Sequence, residues 1–110
     1  MANTFLSTGA AITASGFTTI YTAPAATQTT LIGLSFANTT SNTITINVKV
    51  DKSGGGSYFL AYQAPIPSGS SLVVVGGDQK VVLQTNDLVK AQVVTAAATA
   101  DAFASFLNIT

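Results

Sequence analysis

The sequence contains no cysteine, histidine, tryptophan, arginine or glutamate. Without cysteine there can be no disulfide, no thiolate nucleophile and no thiolate metal site. The loss of histidine also removes Cys/His zinc sites and imidazole acid–base chemistry. Charge is almost missing as well. Four lysines and four aspartates make up 7% of the 110 residues and leave a formal net charge of zero, against roughly 25% charged residues in an average soluble protein. With no arginine and no positive excess, no nucleic-acid partner is expected. Disorder is excluded by the opposite composition, since 47% of the chain is hydrophobic. No apolar run approaches the ~18 residues of a membrane helix, so no membrane partner is expected. The opening stretch 1–6 has neither a basic segment nor a continuous apolar one, which predicts a protein made in a cytoplasm with no signal to leave it.

Small neutral polar residues stand where charge is missing: seventeen threonines, ten serines and six asparagines. Such a surface does little to keep copies apart, and mean hydropathy is positive. The composition therefore fits a protein that works assembled, with neighbours covering its faces.

The dominant period is two. Over 43–50, Ile44, Ile46, Val48 and Val50 alternate with Thr43, Thr45, Asn47 and Lys49, the pattern of a half-buried strand. Over 30–38, Ile32, Leu34 and Phe36 fall on one face, with Leu31, Gly33, Ser35 and Ala37 opposite. The short loop 38–42 predicts that these two strands form an antiparallel hairpin. Further strands are expected over 17–22, 57–63, 71–75, 80–84, 88–95 and 102–109, with 4–13 as a ninth. The run 71–75 reads as a strand covered on both faces, and Phe103, Leu107 and Ile109 share a face opposite Phe106. Turn formers separate these runs: Pro24, Gly54–Gly56, 65–69, 76–78 and 86–87. The alanine-rich 96–100 reads as a loop. The expectation is an all-β fold, one domain over 1–110, built as an antiparallel β-sandwich or jelly roll of about eight strands.

Chemistry has little to work with. The ionisable side chains are Asp51, Asp78, Asp87 and Asp101 with Lys49, Lys52, Lys80 and Lys90, which read as turn residues that also discourage strand slippage. A Ser–Lys nucleophile from Ser53 or Ser57 with Lys52 lacks an oxyanion hole. No Asp-x-Asp spacing offers calcium ligands. Gly54–Gly56 lacks the Lys-Thr pair of a phosphate loop and reads as a hairpin tip, or as a contact loop. No enzyme activity, cofactor or metal is expected. Tyr58, Leu60 and Tyr62 alternate with Phe59 and Ala61, so both faces of that strand are apolar. The tyrosines fit core packing with hydroxyls at the rim, interface anchoring, or a stacking platform for sugars.

The segments Tyr21-Thr22-Ala23-Pro24-Ala25, 31–38, 64–72, 76–83 and Asp87-Leu88-Val89 together resemble small virion proteins of tailed bacteriophages. In those proteins a Tyr-Thr-Ala-Pro stretch leads into a strand ending in Ala-Asn, and a Pro-Ile-Pro loop leads to a Ser-Leu strand. The resemblance spans about 16–107 and implies a β-sandwich accessory subunit. Its expected function is capsid decoration: binding the head surface, with the major capsid protein as partner, as a homo-oligomer (dimer or trimer) incorporated in the virion. A small tail or head–tail connector component, or a carbohydrate- or receptor-binding tail module, is the alternative. Such families act through surfaces, and the expected contact residues are Ala2, Asn3, Thr4 and Phe5, the loop Gly54, Gly55 and Gly56, the tyrosines Tyr58 and Tyr62, and Pro65 and Pro67.

Overall fold

The clean alternation in the middle of the chain forms strand β4 (Ile44–Asp51), whose Ile44, Ile46, Val48 and Val50 are all buried. The computed structural model describes residues 3–14, 16–76, 80–95 and 98–109. It contains eight further strands: β1 (Asn3–Thr13), β2 (Thr18–Thr22), β3 (Gln28–Ala37), β5 (Ser57–Ile66), β6 (Ser71–Val75), β7 (Val81–Leu83), β8 (Leu88–Val93) and β9 (Thr99–Ile109). One sheet runs β1-β9-β3-β6, with β7 also on β3; the other runs β2-β8-β4-β5. Every strand pair is antiparallel.

β6 and β7 lie end to end along the same edge of β3, opposite 34–37 and 29–31 respectively. Counted as one interrupted strand, they reduce the fold to eight strands in four nested pairs: β1 with β9, β2 with β8, β3 with β6/β7, and β4 with β5. Two further pairings, β3 with β9 and β4 with β8, wrap this folded ribbon into two facing sheets. That topology is a jelly roll. Between the sheets lies a core of Phe36, Phe106, Ile12, Leu31, Leu34, Ile66, Leu83 and Val75 with the apolar face of β4. Each such large side chain contributes roughly 1.5–3 kcal/mol by leaving water.

The expected hairpin over 30–50 is not formed. β3 and β4 belong to different sheets, and both edges of each are already paired. The loop between them instead crosses the sandwich, held by Asn38. Its buried amide donates to the carbonyls of Asn42 (2.8 Å) and Ile66 (2.9 Å), and its Oδ1 accepts from the Thr40 N–H (2.9 Å) and hydroxyl (2.7 Å). The expected phase of β3 is also corrected. A bulge at Ile32 breaks the register against β9, so Leu31 and Leu34 both face the core and Ile32 is displaced. β6 is covered on one face rather than both: Val75 is buried while Val73 is 63% exposed. The strand expected at 102 begins at Thr99, and the expected loop residue Pro65 lies inside β5, an edge strand where a missing N–H is tolerated. The expected turn residues 77–78 and loop residues 96–97 lie outside the described residues.

Candidate interaction surfaces

Residues opposed across an antiparallel sheet share a face, so the register builds the outer surface of the β1-β9-β3-β6 sheet row by row. One row is Phe5, Leu107, Thr30 and Val82. Another is Gly9, Phe103, Ser35 and Val73. Between them lie Ser7, Ser105 and Gly33, and beyond them Ala11, Asp101, Ala37 and Ser71. Phe5, Val73, Val82 and Phe103 are 75%, 63%, 62% and 54% exposed. Asp101 is the charged residue of this face among the described residues of its strands. Beside it, Phe5, Leu6, Ser7, Ser105 and Phe106 with the displaced Ile32 line a shallow groove of about 360 Å³.

The opposite sheet has a different outer surface. Lys49 faces Lys90 across β4 and β8, and Asp51 binds both, at 3.4 Å and 2.8 Å. The Ser57 hydroxyl donates to Asp51 at 2.6 Å, and the Lys49 ammonium lies 4.3 Å from the Phe17 ring centroid. Hydrogen bonding from Lys90 first, then from Ser57, with Lys49 adding to it, lowers the Asp51 carboxyl to about 2. At the β5 edge of this sheet, Phe59 and Tyr62 meet edge to face with centroids 5.0 Å apart.

A second charge pair closes one end of the sandwich. Asp87 is fully buried; it binds the Lys52 ammonium and accepts from the N–H groups of Ser53 (3.0 Å) and Gln84 (2.8 Å). Burial alone would raise its pKa, but the Lys52 ammonium and the two N–H donors outweigh that and hold the carboxyl below 3.8. Both carboxylates therefore have folded-state values below their unfolded ones. Their stabilisation is full above about pH 4 and is lost as pH falls through the folded values. The sequence has no histidine and no cysteine, the side chains whose ordinary values lie nearest neutral pH. Thermal melts are thus expected to be flat over pH 5–8 and to drop between pH 4 and 2, with Asp51→Asn weakening that drop.

The expected contact residues are not gathered in one place. Asn3, Thr4 and Phe5 begin β1, opposite Ile109, Asn108 and Leu107, and all three are exposed; Ala2 lies outside the described residues. Gly54–Gly56 form the tip of the β4–β5 hairpin at the same end of the sandwich, closed by Lys52 N–H to Gly56 C=O at 2.9 Å. Gly56 has φ 97°, a backbone conformation that favours glycine, and it lies against the Tyr58 ring. Tyr58 and Tyr62 are 63% and 62% exposed, which decides against core packing. Pro65, opposite Thr45, and Pro67, which accepts the Ser70 N–H at 3.1 Å, lie at the other end. The lysine–serine pairing is not made: Lys52 is engaged by Asp87, and Ser57 by Asp51. Sequence reasoning did not single out Val73, Val82 or Phe103. The signal was present for Phe103, whose face 103/107/109 is correctly grouped but turns outward.

No family model matches the chain, and no curated protein matches it. Among solved structures, the chain is similar to one from the structure of infectious bursal disease virus, Gt strain, with a TM-score of 0.41 and 9% identity over 96% of this chain. This chain spans about a third (32%) of the length of that one.

Proposed function

We propose that this chain is a non-enzymatic virion structural protein, and within the virion a decoration subunit that binds the head surface and ties neighbouring copies of the major capsid protein together. The outer face of the β1-β9-β3-β6 sheet carries the reading. An antiparallel sheet that meets water normally alternates apolar-in with polar-out. Here the outward rows present Phe5, Phe103, Val73 and Val82 among Thr, Ser, Ala and Gly. Four strands about 4.8 Å apart, with 11-residue β1 and β9 rising about 3.4 Å per residue, give a face of roughly 700 Å². A stable interface takes about 800 Å² from each partner. The jelly roll serves capsid and lectin domains alike, so the surface rather than the fold favours this function.

A subunit seated by this face adds contact area across capsid neighbours. It favours the intact shell by mass action, because it binds the assembled lattice and not the dispersed subunits. With Asp101 the one charge among the described residues of this face's strands, binding is apolar and hydrogen-bonded and varies little with salt. The second reading, a glycan-binding tail module, rests on the exposed Phe59–Tyr62 pair of the other sheet. Co-sedimentation with purified heads and with purified tails, at roughly 0.1 M and 1 M salt, tests both. Retention on heads at both salt levels, with a more heat-resistant shell, is the expected result. Release at high salt overturns the apolar mechanism, and binding to tails or to glycan beads alone moves the protein to the second reading.

A further inference from the structure

The two sheets have four outer edges, and three are built in ways that discourage another strand. β5 carries bulges at Leu60 and at Gln63 (φ 50°), the second fixed by the Gln63 N–H on Asn47 Oδ1 at 2.7 Å, and Pro65 has no N–H to donate. The β6/β7 edge is made of two short strands, of 5 and 3 residues. β2 is 5 residues long and loses register between Thr19 and Tyr21. β1 has none of these features. It is 11 residues long, keeps unbroken register with β9 from Asn3 opposite Ile109 to Thr13 opposite Thr99, and contains no charge and no proline. A long, regular, uncharged edge is a template for a further strand.

The strand is also complementary to itself. Its first half carries the bulky Phe5 and Leu6, and its second half the small Gly9, Ala10 and Ala11. The two halves are covered differently: among the core-facing residues, Leu6 is 41% exposed while Ile12 is fully buried. The sandwich covers the second half and leaves the first overhanging, with Phe5 bare on the outer side and Leu6 on the inner.

We infer that two copies of this chain join antiparallel through β1, about a two-fold axis at Thr8, into one continuous sheet. That register sets Phe5 against the second copy's Ala11, Leu6 against its Ala10, and Ser7 against its Gly9. Each overhanging half then lies along the covered half of the other copy, and large side chains meet small ones. Such pairing keeps faces, so both apolar outer faces lie on one side and the docking area is about doubled. No charge meets its own image at the axis. One regular edge per copy closes the assembly at two and gives no filament. This gives a definite form to the homo-oligomer expected of a decoration subunit, and it stands or falls apart from head binding because its test contains no heads.

The test uses the purified chain, which has no thiol of its own. Sedimentation equilibrium is expected to give the mass of two chains. Thr8→Cys is expected to become a covalent dimer on mild oxidation, because directly opposed residues have Cα atoms about 4.5–5.5 Å apart, within disulfide reach. Val82→Cys, on the far margin of the same sheet, is expected to stay uncross-linked. Leu6→Lys is expected to weaken self-association at least about tenfold, while Val73→Lys leaves it unchanged. A single-chain mass at roughly 0.1 mM overturns the inference. So does a dimer that Leu6→Lys leaves intact, or in which Thr8→Cys fails to cross-link.

Discussion

Replacing Asp87 with alanine is expected to cost about 2–5 kcal/mol of folding stability, because its buried carboxylate leaves two N–H donors and a partly exposed ammonium without their partner. Its carboxylate makes three contacts that join two pieces of chain: the Lys52 ammonium and Ser53 N–H of the β4–β5 loop, and the Gln84 N–H of its own turn, which leads into β8. That turn also ties back to β2, through Asn86 N–H to Ala23 C=O at 2.8 Å and Ala23 N–H to Asp87 C=O at 2.9 Å. Alanine leaves both N–H groups without their acceptor and the ammonium without its counter-ion, at about 1–3 kcal/mol for each buried polar group left unmade. Against a total of about 5–15 kcal/mol for a domain, that is a large share. Lys52→Ala acts differently. It leaves the carboxylate buried with two N–H donors and removes its charge partner, so burial gains weight and the Asp87 pKa rises. The acid transition then moves to higher pH. Denaturant melts at pH 7 and pH 4 read both effects, and a loss below about 1 kcal/mol for Asp87→Ala would show that water replaces the carboxylate at little cost.

The same residues show how far the sequence could be read. Period-two alternation, with β-branched or apolar runs between turn formers, located all nine strands, because a side chain's face depends on its immediate neighbours. It failed where pairing inserts a residue. Ile32 reads as inward by strict alternation, yet the bulge opposite β9 moves it out and brings Leu31 in. Strand partners were less legible. The five-residue connection after Asn38 has hairpin composition, but β3 and β4 have other neighbours on both edges, and those neighbours come from 57–66, 71–83, 88–93 and 99–109. Which apolar face turns outward is a property of the assembled sheet. In β9 the inward positions are Ala100, Ala102, Ala104 and Phe106, with Ala102 opposite Phe36, so a small residue makes room for a large one and Phe103 is left outside. Apolar content alone assigns Phe103 to the core and the alanines to the surface. The exposed tyrosines were legible as candidates because tyrosine is enriched at contacts between chains, and Phe5 as part of the expected N-terminal contact segment.

Phe103→Lys together with Val73→Lys is expected to leave the fold intact and to abolish head binding, lowering affinity by at least about 100-fold. The two side chains share one row of the outer sheet face, with Ser35 between them. Both are more than half exposed, so the substitutions remove little buried area from the monomer, and changes of this kind usually stay within about 0.5 kcal/mol each. Docking changes the arithmetic. A closed apolar contact would strip water from two ammonium groups for which, among the described residues of this face's strands, Asp101 is the one opposite charge. Phe59→Lys supplies the comparison on the other sheet. There the new charge lies beside a surface that already holds Lys49 and Lys90, and head binding is expected to stay within about twofold of the unmodified chain. If Phe59→Lys abolishes binding and the double variant does not, the working surface is the aromatic edge of β5, and the partner is one that stacks on rings rather than one that closes over a flat sheet.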